Sequence, residues 1–448
     1  MPQDNPGLFQ SAKGESHAVT FALVSSLFLL WGFCNGMIDV MDKHFQQVLH
    51  LSLAQSAWVQ FAHYLGYFLM ALPAGLLATR LGYKGGIIAG LLMVAVGGFW
   101  FVPATHIDEF WAFLLGVCVI AAGLTFLETV ANPYTTVLGP PQFAATRINL
   151  AQSCNGVGWI LGPIAGARFF YSKDASGVST GSQDLWIPYF AVALVVVALA
   201  AVFFFSSVPD IKTEDDYHLD DAVPGATRSI WAHPHFVMAV AAQFFYVAAQ
   251  AGIFSFFINY MTAEAPPIPA SWSTGPLAGW FETNRLGVLA ISDKGAAYLA
   301  SLGFLCFLAG RVSGSALLRK FAAHRVLGLY GVINVVVCLL VFAKLGWLSV
   351  GCVFLSYFFM SIMFPTIFAL GIHGLGVRAK KASACIVMAI MGGATVPKLM
   401  GAVGDRYGMS RSFIVPLCCF AFVAYYGYSW SRLSRSGGVV GLATKKGH

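Results

Sequence analysis

Glu128 asks most of its surroundings. The run from Ile120 to Pro133 holds no other charged residue. A carboxylate in so apolar a stretch is costly, so it is a functional group by default. It can pass between neutral and ionised forms as its surroundings change, which is the chemistry of a proton carrier. A structural glutamate held by a neighbouring helix is the alternative. Asn132 follows one turn later on the same helical face. Pro133 removes a helix N–H and frees the carbonyl of Thr129, which predicts a kink. Asp39 is the second such carboxyl. Trp31, Asn35 and Asp39 recur at i, i+4 and i+8, so they share one face. Asp42 and Lys43 follow closely, which allows Asp39 to sit at a membrane edge. Val40, Met41 and Phe45 nevertheless continue the apolar pattern.

Amides accompany the two acids. Asn149, Gln152 and Asn155 fall at i, i+3 and i+6, and Gln243, Tyr246 and Gln250 at i, i+3 and i+7. An amide both donates and accepts, and an aromatic ring offers an apolar plate. The combination suits a neutral, polyhydroxylated ligand such as a sugar. Interhelical amide bonding is the competing explanation for any single residue. Asn35, Asn132, Gln152, Asn155, Tyr246 and Gln250 are the candidate binding residues. Glu128 and Asp39 are the candidates for proton coupling. His63 reads as a packed histidine. Arg311 can snorkel or cap a helix end, and Lys398 either pairs with Asp405 or lines the pathway.

The elements that must position these groups follow from composition. The chain has 448 residues, of which 10% are charged and 58% hydrophobic. Its mean hydropathy is +0.73. An ordinary soluble domain is about 25% charged, so a typical cytosolic enzyme, a disordered chain and a nucleic-acid binder are excluded. Twelve apolar segments are legible, near 18–45, 56–79, 85–104, 109–138, 146–170, 187–208, 235–262, 295–318, 325–345, 347–372, 381–403 and 411–432. Each is about the length that crosses a bilayer. The fold class is therefore an all-α membrane protein in a lipid bilayer. A cleaved signal peptide is not expected, because the first apolar stretch is long and lacks a small-residue cleavage site. Lys and Arg outnumber those opposite on the side that holds both termini, Arg80, Lys84, Arg147, Arg319, Arg325 and Lys380 among them. Both termini are thus expected in the cytoplasm. The net charge of +7 is then topology and needs no acidic partner.

Nine cysteines lie inside apolar runs without metal-ligand spacing. They read as small buried side chains, and no metal is expected. No G-x-x-x-x-G-K-[ST] run and no nucleophile triad occurs, so neither an ATP-driven pump nor an enzyme is expected, and no cofactor beyond a coupling proton.

The polar stretch 209–234 divides the spans six and six. It separates an N-terminal tail (1–17) and half (18–208) from a second half (235–432) and a C-terminal tail (433–448). The halves repeat. Pro133 to Gly139 echoes Pro365 to Gly371; Gly75 precedes Arg80 by the same offset as Gly314 precedes Arg319; Arg147 opens the fifth span much as Arg378 opens the eleventh. Two parallel six-helix halves mark the major facilitator architecture, with substrate between them. Arg80, Lys84, Arg319 and Arg325 occupy matching loops and are the candidate gating residues. The connector 263–294 carries Pro266, Pro267 and Pro269, which predict extended or irregular backbone, and Trp272 and Trp280, which suit a membrane interface.

The chain resembles the bacterial sugar transporters of the fucose permease type, within the major facilitator superfamily. The resemblance is carried by Phe45-Gln46-Gln47 after Asp39, Ala74-Gly75, Tyr83-Lys84, Leu127-Glu128-Thr129 with Ala131-Asn132-Pro133, and Asn149 to Gln152 with Asn155. Gln243-Phe244 with Tyr246 and Gln250, Gly310-Arg311, and Met360 to Ile362 with Pro365 to Phe368 extend it over nearly all of 18–432. It implies proton-coupled uptake of a hexose by a monomer, with Asp39 and Glu128 as the membrane carboxylates and Gln152 and Asn155 in the sugar cavity. Asn35-Gly36 stands where the fucose permease has two asparagines, and the connector is closer to relatives for glucose, galactose or N-acetylglucosamine. The expected substrate is a hexose such as fucose, glucose or galactose, or an N-acetylhexosamine. An exporter of a drug or metabolite on the same fold is the rival reading.

Overall fold

The computed structural model describes residues 8–10, 16–139, 144–171, 185–206, 208, 229–274, 277–283, 287–375 and 379–436. The first half is built from α1 (Ala18–Val48), a one-turn α2 (Leu53–Ser56), α3 (Trp58–Ile107), α4 (Phe110–Val137), α5 (Ala144–Phe169) and α6 (Trp186–Phe205). The second begins with α7 (Pro234–Ser255) and α8 (Phe257–Glu264). A small hairpin follows, β1 (Phe281–Thr283) and β2 (Leu289–Ile291). Then come α9 (Asp293–Lys320), α10 (Ala323–Phe342), α11 (Trp347–Met360), α12 (Met363–Ile372), α13 (Ala379–Met388), α14 (Gly392–Tyr407), α15 (Met409–Ser412) and α16 (Ile414–Ser436).

The helices match the twelve expected spans. α3 is two of them, joined where Gly82 adopts φ 70°, a left-handed conformation that an L side chain rarely tolerates. α11 with α12, α13 with α14, and α15 with α16 are single spans interrupted by short breaks. Ten described segments are long and apolar enough to cross a membrane by length and composition alone. The stretch 58–79 and α5 complete the set. In α5, Arg147, Gln152 and Asn155 interrupt the apolar sequence. α4 runs as one helix to Val137, with Thr125 and Thr129 returning their hydroxyls to the carbonyls of Ala121 and Thr125 at 2.8 and 2.7 Å.

The chain forms two compact units. The first holds 1–217, 255–262 and 267–305; the second holds 218–254, 263–266 and 306–448. Lipid gives helices no hydrophobic reason to associate, so close backbone packing must do it. In the first unit α1 and α5 meet along a double glycine stripe. A Cβ on Gly32 would stand 2.0 Å from the Asn155 carbonyl oxygen, and one on Gly158 would stand 2.2 Å from the Leu29 carbonyl oxygen. Gly36 and Gly162 repeat the contact one turn on. In the second unit α10 and α16 pack the same way, with Gly331 against Ala424 and Gly427 against Gly328.

Arg147 shows how a single cation closes a turn. Counted by sequence as a topological charge, it is fully buried. Its guanidinium donates to the carbonyls of Thr135 at 2.9 Å and of Leu8 and Gly139 at 3.1 Å. It thereby satisfies carbonyls at the end of α4 that have no partner inside the helix.

The proline run 266–269 has no regular secondary structure, as expected, and a hairpin follows it in the connector. β1 and β2 pair antiparallel, with Phe281 opposite Ile291. Ile268 N donates to the Leu289 carbonyl at 2.9 Å. Trp280 stacks on Tyr298 at 5.3 Å, while Trp272 is exposed.

Candidate functional site

The acids of the first unit lie on the faces that helical periodicity assigned to them. α1 and α3 run antiparallel, and their polar residues meet in register. Trp31 Nε1 donates to the Tyr67 hydroxyl at 2.6 Å. Asn35 also hydrogen-bonds that hydroxyl, which lies in the field of Glu128. Further along, Gln60 Nε2 donates to Asp39 Oδ1 at 2.9 Å. Asn35 and Asp39 are each 7% exposed, and Asn35 Oδ1 and Asp39 Oδ2 have no hydrogen-bond partner. His63, one turn from Gln60, is buried with its ring 5.1 Å from Tyr64 and 4.9 Å from Tyr67. This is the packed histidine that the sequence suggested.

Glu128 borders a narrow cleft, lined with it by Leu27, Phe28, Trp31, Leu127 and Ala131. The carboxyl is half-buried. Beside it, Gln152 Nε2 donates to Asn132 Oδ1 at 3.2 Å, so α4 and α5 join their amides. Asn155 turns the other way: its Nδ2 donates to the Phe28 carbonyl at 3.2 Å, at the glycine stripe. That donor anchors α5 to α1. The Asn149 side chain is outside the described residues.

The second unit has a different lining. Tyr246 is fully buried and its hydroxyl donates to the Met360 carbonyl at 3.1 Å. Arg311 places its guanidinium 5.1 Å from the centre of the Phe307 ring, a cation–π distance. Phe254 stacks on Tyr357 at 4.6 Å. Gln250 is half-buried. Gln243, one turn before Tyr246, is fully buried and neither of its amide atoms has a partner.

Of the candidate gating residues, Arg80 and Arg325 are exposed. Lys84 donates to the Ser206 carbonyl at 2.9 Å, tying the start of the third span to the end of α6. The Arg319 side chain is outside the described residues.

Sequence reasoning passed over Gln60, Tyr67 and Asp42. Gln60 and Tyr67 stand seven residues apart on one face of α3, a spacing that could have flagged them. Asp42 looked like a residue of the membrane edge. It is fully buried.

The sequence model described as Major Facilitator Superfamily matches residues 19–397. The glucose/galactose transporter of Brucella abortus is 32% identical over 433 residues, covering 96% of this chain and 99% of the relative. The L-fucose-proton symporter of Escherichia coli is 34% identical over 435 residues, covering 92% and 93%. Among solved structures, the crystal structure of a Major Facilitator Superfamily transporter, FucP, in the outward conformation superposes with a TM-score of 0.66 at 33% identity. It covers 92% of this chain and 99% of that one.

Proposed function

Since the chain belongs to the Major Facilitator Superfamily, we propose that it takes up a monosaccharide together with a proton by alternating access. The relatives named as a glucose/galactose transporter and an L-fucose-proton symporter support this substrate class and this coupling ion. The observation that carries the reading is Glu128. Among the described residues no hydrogen bond or ion pair reaches its carboxyl, and it borders the cleft beside Trp31. A carboxylate without a cation in a membrane interior has two sources of compensation. One is a proton on the group itself. The other is the set of hydroxyl donors that a bound sugar brings. A group served by both links the two cargoes.

In this reading Asp39 is the second acid, tuned by Gln60, and Asn35, Asn132 and Gln152 present amides to the sugar. Asn155 combines a packing role with its remaining acceptor. Tyr246 and Gln250 serve as recognition residues of the second half. The protein acts as a monomer in a bacterial inner membrane with both termini cytoplasmic, and Arg80, Lys84, Arg319 and Arg325 brace the cytoplasmic gate.

The test is uptake of labelled fucose, glucose, galactose and N-acetylglucosamine into proteoliposomes with an imposed pH gradient. Accumulation of one sugar that collapses when the gradient is removed is expected. Accumulation indifferent to the gradient rules out proton coupling.

A further inference from the structure

Asp42 of α1 is a fully buried carboxyl that the coupling scheme does not use. Three segments of the first compact unit surround it. They are α1 itself, α2, and the stretch 255–262, where the seventh span breaks at Phe256 between α7 and α8. The Ser255 hydroxyl donates to Asp42 Oδ2. Ser56 and Gln46 also lie beside the carboxyl. Asp42 Oδ1 nevertheless accepts no hydrogen bond of normal geometry. Lys43, the next residue, places its Nζ 3.7 Å from Asp293 Oδ1 and is committed to that acid.

A count of hydrogens explains the unanswered oxygen. A hydroxyl has one hydrogen and an amide nitrogen two. Ser255 spends its hydrogen on Oδ2. Ser56 gives its own to the Leu53 carbonyl at 3.0 Å. Gln46 Nε2 directs its two at Ser56 Oγ, at 2.8 Å, and at Asn259 Oδ1, at 3.4 Å. Asn259 Nδ2 donates to Gln46 Oε1. Ser255, Ser56 and Gln46 therefore have no hydrogen left for Oδ1, and the Ser56 oxygen offers the carboxylate a lone pair. Ser56 and Ser255 are fully buried, and Gln46 and Asn259 are 9% and 6% exposed, so bulk water does not make up the deficit.

A buried surplus of oxygen lone pairs is costly. A hard cation removes the cost by taking the oxygens as ligands. One carboxylate among neutral hydroxyl and amide oxygens matches a single positive charge. A proton on Asp42 would bridge only two oxygens, whereas a cation draws on oxygens from all three segments. We propose that Asp42, with Ser56, Ser255, Gln46 and Asn259, forms a sodium-binding site within the first unit. The bound ion ties α1, α2 and 255–262 together. The inference goes beyond the sugar and proton reading, because filling this site requires neither sugar nor a pH gradient.

The test is equilibrium binding of radioactive sodium to the purified full-length protein at neutral pH, with potassium and choline salts matching the ionic strength. The parent is expected to bind one equivalent saturably, and sodium to raise its melting temperature where potassium does not. Asp42→Asn keeps the size of the side chain and removes its charge, so it should lose both the binding and the shift. Ser56→Ala and Asn259→Ala should each weaken sodium binding about tenfold or more. No saturable sodium binding by the parent, or equal binding by folded Asp42→Asn, overturns the site and leaves a protonated Asp42 as the explanation of the orphan oxygen. Should Asp42→Asn fail to fold, the other two variants decide, and unchanged affinities in both overturn it. The outcome is independent of the uptake assay, so failure of the sugar reading and failure of this site are told apart.

Discussion

The two compact units differ in the side chains that line the candidate site. The first carries acids, Asp39, Asp42 and Glu128, supported by amides and one tyrosine hydroxyl. The second carries a cation, Arg311, among aromatic rings, with Tyr246 bonded to the backbone. On the proposed reading, proton exchange belongs to the first unit, where carboxyls meet hydroxyl and amide donors.

The largest expected effect would break this division outright. Glu128→Gln mimics the protonated acid, so gradient-driven accumulation should vanish while sugar exchange between the two sides continues. Parallel uphill-uptake and counterflow assays on one preparation decide it. Full accumulation by the variant would remove Glu128 from coupling.

Asp39→Asn comes next. Hydrogen bonds to an ionised group are roughly twice as strong as neutral ones, so binding or coupling should fall by more than the amide variants lose. Titration calorimetry and the pH dependence of uptake check it together. A variant with ordinary affinity and ordinary coupling would assign Asp39 to structure.

Gln152→Ala sharpens the amide wall. A sugar hydroxyl or Asn132 left without a partner in a dry site costs about 1–3 kcal/mol, so affinity should weaken about tenfold or more. Calorimetry on purified protein measures it, with size-exclusion behaviour as the control for folding. Unchanged affinity would turn this amide pair into helix-to-helix bonding.

Tyr246→Phe should have the smallest effect. Its hydroxyl is already bonded to the Met360 carbonyl at 3.1 Å, so the change removes one neutral hydrogen bond, about 1 kcal/mol. The expected result is a few-fold change in affinity at most, with coupling intact, read by the same calorimetry and gradient assay. Lost coupling would carry proton chemistry into the second unit.

Much of the fold was legible because lipid constrains it so tightly. Runs of about 20 apolar residues have few other uses, and the boundaries read from hydropathy match the helices within a few residues except where short breaks intervene. Gly82 was not singled out, since a left-handed residue between two apolar runs leaves no mark in composition. The proline run 266–269 is irregular as its residues predict, but the hairpin beyond it was not foreseen. Proline excludes helix locally, but the pairing of 281–283 with 289–291 is decided by residues further along. Arg147 read only as a topological charge because counting cations says nothing of which carbonyls lie within reach.

The candidate site divides along the same line. Periodicity alone put Trp31, Asn35 and Asp39 on one face, since helical geometry relates residues four apart whatever surrounds them. It likewise put Glu128 with Asn132. Which helix each face would meet required the packing. Gln60 reaches Asp39 because α3 lies antiparallel to α1, and Asn155 bonds Phe28 because four glycines let α5 approach α1 at backbone distance. Asp42 is the sharpest case. Its neighbours in sequence include Lys43, and they placed it at a membrane edge. Its neighbours in space are Ser255 and Gln46, which bury it. Composition and spacing therefore determined by themselves that the chain spans a membrane in two repeated halves with carboxyls inside it. Only the tertiary structure decided which donors answer those carboxyls. The cost of a charge in an apolar run is a local property, whereas hydrogen-bond partners from distant segments exist only once the helices have packed.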